Sequence, residues 1–275
     1  MPLHPVSLII DSSYFNFYRF FATLSWYKRG PGSVSVPLVP WIENNVFMRT
    51  FQKMWFQTLA SLTNKFQPDN LIFALDSHPT WRHKLYPDYK ITRSGPESTD
   101  ITSPAPVFRL IKETYHPLVK PPLFGVDATI VKCPWAEADD IISVATDYIK
   151  TINPDSRVII ITGDHDLLQV RGAEIYCLKG MERIDVAEPR VALMKKVLGG
   201  DPSDNIPQAF KGCGKQTVKK ILALPVKEQT EFIKEMIRKQ GAEQYDLNRT
   251  LIDFSFLPSK LVMKIEGILD TKKLY

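Results

Sequence analysis

Three short apolar runs stand out along the chain, each ending at an aspartate. Val6-Ser7-Leu8-Ile9-Ile10 leads to Asp11, Asn70-Leu71-Ile72-Phe73-Ala74-Leu75 to Asp76, and Arg157-Val158-Ile159-Ile160-Ile161-Thr162 to Gly163 and Asp164. Runs this short and rich in β-branched residues read as strands buried on both faces. Longer stretches with helical periodicity separate them. One covers Val46 to Phe66, and Ile141, Val144, Ala145, Tyr148 and Ile149 mark another. Strand alternating with helix predicts an α/β fold around a mainly parallel sheet flanked by helices. Ligands of such sheets sit beyond the carboxyl ends of the strands, the location of all three aspartates.

Two segments break the alternation. Ser77 to Phe124 is basic at first and then rich in Ser, Thr and Pro, which reads as an inserted excursion, flexible or only partly helical. After Asp201, Gly212 and Gly214 punctuate the chain, Thr217 to Leu224 looks helical and Lys227 to Lys239 is a charged helix. Residues 1–200 are therefore expected to form the core, with the insertion at about 77–124, and residues 201–275 a helical region and tail.

Six further acids join the strand-end aspartates: Glu137, Asp139, Asp140, Asp166, Asp201 and Asp204. Each group has an ordinary explanation. Acids favour helix starts, as in Glu137-Ala138-Asp139-Asp140, and Asp164-x-Asp166 and Asp201-x-x-Asp204 suit turns and caps. Together they require more. Two like charges ~4 Å apart cost about 4 kcal/mol at an effective dielectric near 20, so nine carboxylates in one crevice call for cations. Hard ions such as Mg²⁺ or Mn²⁺ take oxygen ligands, and a pair of them can drive phosphodiester hydrolysis.

Charge points the same way. The 275-residue chain carries 35 basic and 30 acidic residues, a net charge of +5. Setting the nine acids aside leaves 21 acidic residues against 35 basic ones, a surplus of 14. A basic surface around an acidic reaction centre suits a nucleic-acid substrate. Trp81 to Arg93 interleaves cations with aromatics directly after Asp76, a pattern for phosphate contact and base stacking. Lys84, Tyr86 and Tyr89 are its candidate DNA contacts, and Lys90 and Arg93, three apart, would share a helical face. His83 and His165 read as packing or surface residues. The three cysteines are scattered, without a disulfide or zinc pattern. With no signal peptide and no apolar run of membrane-spanning length, the expectation is a soluble, intracellular, cytoplasmic protein that acts away from membranes.

At these residues the chain resembles the 5′ nuclease superfamily: flap endonucleases, phage 5′–3′ exonucleases and the 5′ nuclease domain of DNA polymerase I. The matching pieces are Ile10-Asp11, Ala74-Leu75-Asp76, Trp81-Arg82 through Leu85-Tyr86-Pro87-Asp88-Tyr89-Lys90 to Arg93, Glu137-Ala138-Asp139-Asp140, Thr162-Gly163-Asp164-His165-Asp166-Leu167 and Gly200-Asp201-Pro202-Ser203-Asp204-Asn205-Ile206-Pro207, in family order over about residues 6–224. The resemblance implies a PIN-like fold with an arch or clamp over the site. It implies two metal positions, one among Asp11, Asp76, Glu137, Asp139 and Asp140, the other toward Asp164, Asp166, Asp201 and Asp204. Lys90, Arg82 and Arg93 would contact the scissile phosphate. A helix–three-turn–helix gripping duplex DNA, often with a K⁺ ion, would fall on Gly212, Gly214, Lys215, Gln216 and Thr217. There the sequence departs from the family pattern: Gln208 replaces the usual Gly, Phe210-Lys211 lengthens the turn, and the lysine shifts by one place. The implied activity is that of a stand-alone monomeric nuclease, of the kind found in phages and viruses, with roles in DNA replication or repair. It would cut 5′-flapped, nicked or 5′-ended DNA, or RNA–DNA hybrids, to leave 5′-phosphates. A PIN-type RNA endonuclease and an inactive DNA-binding protein are the alternatives.

Overall fold

A computed structural model describes residues 4–30, 39–93, 102–115, 118–119, 125–185 and 188–271. Five strands, β1 (Val6–Asp11), β2 (Asn70–Leu75), β3 (Asp127–Lys132), β4 (Arg157–Ile161) and β5 (Ala173–Tyr176), form one sheet in the order β3-β2-β1-β4-β5. All neighbours pair in parallel. The three expected strands are its centre. The two edge strands lack a long apolar run, Asp-Ala-Thr-Ile-Val-Lys and Ala-Glu-Ile-Tyr, because an edge is less enclosed than a central strand.

The helices are α1 (Ser12–Tyr27), α2 (Asn45–Phe66), α3 (Trp81–Leu85), α4 (Ala105–Leu110), α5 (Ala138–Ile152), α6 (Pro189–Gly199), α7 (Lys215–Leu222), α8 (Val226–Gln240), α9 (Glu243–Ile252) and α10 (Ser259–Thr271). Strand periodicity divides the core. Leu8, Ile10, Leu71, Phe73, Ile159 and Ile161 face α1 and α2, where Phe15, Phe20, Phe51, Trp55 and Leu59 are buried. Their neighbours Ile9, Ile72, Ala74, Val158 and Ile160 face Ile141, Ile142, Ala145 and Ile149 of α5. Burying a side chain of this size contributes about 1.5–3 kcal/mol. The other face also receives Leu261, Ile265 and Leu269 of α10, so the tail returns to the sheet. A third cluster joins Val197 and Leu198 of α6 to Val218 and Ile221 of α7, with Phe210 stacked on Tyr245 of α9 at 5.6 Å. It begins before residue 200 and includes Tyr89 from the inserted segment.

Strand order reverses across β1, with β2 on one side and β4 on the other. Such a switch point leaves a crevice beyond the carboxyl ends of the strands. The inserted segment is partly helical where described, with α3, a 3-10 turn at Ile91–Arg93, α4 and a π turn at Ile111–Tyr115. Residues 94–101 lie outside the described residues. Among the described residues no helix is long and apolar enough to cross a membrane.

Candidate active site

The crevice is built by short connections. β1 runs straight into α1, and the Asp11 side chain caps that helix, Oδ1 accepting from the Tyr14 amide at 3.0 Å. Asp11 Oδ2 accepts from the Thr162 hydroxyl at 3.0 Å, whose oxygen in turn accepts from the Asp164 amide at 3.0 Å. Asp76, one residue past β2, accepts from the first amide of α5, Ala138 N, at 2.8 Å and from Ser13 Oγ. The start of α5 thereby brings Asp139 beside the strand-end aspartates. Burial, opposed in part by the Tyr14 amide and reinforced by the charges of Asp76 and Asp164, pushes the Asp11 carboxyl up to about 7. Burial and then Asp11 and Asp164 raise Asp139 in the same way.

A second carboxylate group adjoins the first. Oxygens of Asp166, Asp201 and Asp204 lie within 4.8 Å of one another. The Asp201 side chain caps the 3-10 turn Pro202–Asp204, with Oδ1 accepting from Ser203 N at 3.0 Å and Ser203 Oγ at 2.6 Å. Lys196 of α6 pairs with Asp166 and, at 2.8 Å, with Asp201. Burial pulls the Lys196 ammonium down, but the two carboxylates outweigh it and hold it above the usual lysine range. Lys90 lies between the groups, 2.6 Å from Glu137 Oε1 and 3.7 Å from Asp204 Oδ2. Glu137, Asp139, Asp164, Asp166, Asp201, Asp204, Lys90 and Lys196 line one pocket.

Eight of the nine acids thus converge, and Asp140 does not. It is fully buried, its oxygens engaged by Arg82 at 2.8 and 3.1 Å, by Trp81 Nε1 at 3.0 Å and by the Glu137 amide at 3.0 Å. Its neighbour Asp139 points into the crevice because successive helical residues are rotated by about 100°. Arg82 is corrected with it. Only 3% exposed, it also binds Glu137 at 2.7 Å and donates from Nε to the Leu251 carbonyl of α9 at 2.7 Å. It borders the same pocket, with its guanidinium engaged by Glu137, Asp140 and the Leu251 carbonyl.

Other expected contacts divide similarly. Tyr89 is buried, its hydroxyl donating to Glu137 at 3.0 Å, so it does not stack on bases. Tyr86 is half-buried and donates to the Asn205 carbonyl at 3.1 Å, whereas Lys84 is exposed. The helical face expected for Lys90 and Arg93 does not form. Lys90 has φ +52° and donates its amide to the Asp204 carbonyl at 3.0 Å, a tie to the second loop rather than to a helix. The Arg93 side chain lies outside the described residues. Gly212 (φ +88°) and Gly214, the cap residue of α7, are exposed together with Lys215 and Gln216, and Thr217 is half-buried. Sequence reasoning missed Lys196 and Ser13 and gave Thr162 no role of its own. Only proximity to Asp201 hinted at Lys196, and it applied equally to Lys195.

Gly200 sets the second loop. It has φ +73° and ψ 177°, and a Cβ there would lie 2.5 Å from the Ile206 carbonyl oxygen. Such a backbone is open essentially to glycine alone, at a cost of about 1–3 kcal/mol for other residues. Gly200→Ala should lower stability by about that amount or more and displace Asp201, which a urea titration together with an activity assay would detect. Wild-type stability with full activity would count against this.

The raised Asp11 carboxyl supplies a pH prediction. Its folded value of about 7 exceeds the ordinary 3.8, so its protonation stabilises the fold at low pH and that stabilisation is lost as pH rises through 7. Metal-free Asp11→Asn should melt above wild type at pH 8, and the gap should narrow as pH falls below 7 and close only near the ordinary value of 3.8. A pH-independent gap would refute the assignment.

Comparison with known proteins bears on the family and the fold. Residues 6–196 match the family model described as 5′-3′ exonuclease, N-terminal resolvase-like domain. A 5′-3′ exonuclease of Mycoplasmopsis pulmonis is 28% identical over 181 residues, covering 62% of this chain and 56% of that protein. DNA polymerase I of Mycobacterium bovis is 31% identical over 180 residues, 60% of this chain and 18% of the polymerase. The chain therefore spans about half the length of the curated exonuclease it matches and under a fifth of the polymerase. Among solved structures, the flap endonuclease of bacteriophage T5, in a pseudo-enzyme–product complex with DNA and metal ions, aligns with a TM-score of 0.63 over 96% of this chain and 98% of that one. At 16% identity this likeness is one of fold.

Proposed function

Because the chain belongs to the 5′-3′ exonuclease family, we propose that it hydrolyses phosphodiesters of 5′-ended or flapped DNA with divalent ions held by the two carboxylate groups, leaving 5′-phosphates. The observation that carries this reading is the convergence of eight carboxylates in one crevice, where burial and mutual charge lift the Asp11 carboxyl to about 7. The donor set suits hard divalent ions, being made of carboxylate oxygens with no pocket-lining histidine among the described residues. Asp11, Asp76, Asp139 and Asp164 would hold one ion, and Asp166, Asp201 and Asp204 another. Bound there, such ions supply neutralisation of the phosphate's charge and activation of water.

The protein's own residues have distinct tasks. Glu137 is the junction: it receives Lys90, Arg82 and Tyr89, and these hold its carboxyl below the usual range despite burial. It thereby aims the Lys90 ammonium, 21% exposed, at the crevice, where positive charge can face a scissile phosphate. Asn205 ties the inserted segment to the second carboxylate loop, its side-chain oxygen accepting from Thr92 N at 3.3 Å and Thr92 Oγ1 at 3.0 Å. The N-terminus of α7, whose exposed cap residue Gly214 makes no side-chain cap bond, suits duplex phosphate. Mg²⁺ as the ion, K⁺ at Gly212–Thr217, RNA primers as a further substrate and action as a monomer belong to the same reading.

Product mapping tests it. On 5′-labelled flap, nicked and RNA–DNA substrates, Mg²⁺ should elicit cleavage near the junction or 5′ end, and a chelator should abolish it. Chelator-resistant cleavage, or single-stranded RNA cut in preference to every flap, would reject it.

A further inference from the structure

We propose that Lys196 is a resident counter-cation within the Asp166–Asp201–Asp204 group: it bridges Asp166 and Asp201 in the absence of a divalent ion and competes with that ion for their oxygens. The inference rests on the reading that this group binds such an ion. The three carboxylates approach within 4.8 Å of one another, and among the described residues the ion pairs of Asp166 and Asp201 are both with Lys196. Asp201 leaves no oxygen uncommitted. Oδ1 accepts from the amide and hydroxyl of Ser203, and Oδ2 lies 2.8 Å from Lys196 Nζ. A divalent ion that takes Asp201 Oδ2 must share that atom with an ammonium or displace it, and two cations on one carboxylate oxygen repel.

The ammonium is able to leave. Val197 and Leu198, next in α6, are buried and fix the helix, whereas the Lys196 side chain is 29% exposed. Its flexible four-carbon stem lets the charge move while the backbone stays in place. Lys90, 3.7 Å from Asp204, is engaged mainly by Glu137 at 2.6 Å and does not substitute for Lys196. The second ion position is consequently weakened by a built-in competitor, and the carboxylates stay arranged when the ion is absent.

The test is Mn²⁺ binding to the full chain without nucleic acid, with free Mn²⁺ counted by electron paramagnetic resonance. In Lys196→Met the weaker Mn²⁺ site should bind at least about tenfold tighter than in wild type, the factor that about 1.4 kcal/mol of relieved competition gives. In wild type, acetylation of Lys196 should rise several-fold on saturation with Mn²⁺, against exposed Lys195 as internal reference. If no site of Lys196→Met binds tighter than its wild-type counterpart, or if the variant does not fold and wild-type labelling stays flat or falls, the inference is overturned while the nuclease reading stands. If neither protein takes up Mn²⁺, the metal reading fails together with it.

Discussion

Asp139→Asn should reduce Mg²⁺-dependent cleavage by at least about 10³-fold while leaving affinity for flap DNA unchanged or tighter. Asp139 feels the charges of Asp11, Asp164, Glu137 and Asp76, so it sits where the first carboxylate group is densest. Removing its charge weakens the hold on an ion that is worth several kcal/mol of transition-state stabilisation, and each ~1.4 kcal/mol is a factor of ten in rate. The same change removes a negative charge facing the phosphate backbone, so binding is spared. Metal-free Asp139→Asn should also melt above wild type, because a half-buried carboxylate repelled by its neighbours is replaced by a neutral group of the same shape. Single-turnover kinetics, fluorescence anisotropy with a labelled flap and a melting curve in chelator measure the three effects. Asp164→Asn is expected to behave alike in the first two. Full activity in either variant would withdraw that residue from the ion site.

Arg82→Met should destabilise the protein by about 3–5 kcal/mol, the usual consequence of removing one partner from a buried ion pair. The guanidinium serves three elements: Glu137 before α5, Asp140 within it and the Leu251 carbonyl of α9. Without it Asp140, fully buried, retains among the described residues the Trp81 indole and the Glu137 amide. Adding Asp140→Leu should recover much of the loss, since an apolar pair avoids the stranded charge. Chemical denaturation of wild type, single and double variants forms the cycle. A residue whose task was phosphate contact would show the opposite pattern, with stability intact and catalysis impaired. Unchanged stability in Arg82→Met would therefore restore the expectation that its sequence context first suggested.

These two residues mark how far the sequence could be read. Asp139 and Asp140 are adjacent and chemically identical, and nothing local says that one faces an ion and the other an arginine. Arg82 and Lys90 lie in one basic-aromatic segment with the same apparent purpose. Folding buries the first against α5 and α9 and gives the second a left-handed backbone tied to Asp204. Tyr89 resembled a stacking residue by composition and became part of the third core cluster. Lys196 carried no mark that separated it from Lys195.

What the sequence determined by itself was whatever repeats over a few contiguous residues: the apolar runs of β1, β2 and β4, the helical stripes of α2 and α5, and the placement of acids just beyond strand ends. Side-chain direction alternates every residue in a strand and turns by about 100° per residue in a helix, so those elements and their buried faces follow from local spacing. Only the tertiary structure decided which acids share a crevice and which cations answer them. That depends on strand order around β1, on the rotation of α5 against the sheet, and on where α6 and α9 come to rest. Each is set by packing between residues many positions apart, as when Arg82 meets Leu251 across 169 positions of sequence.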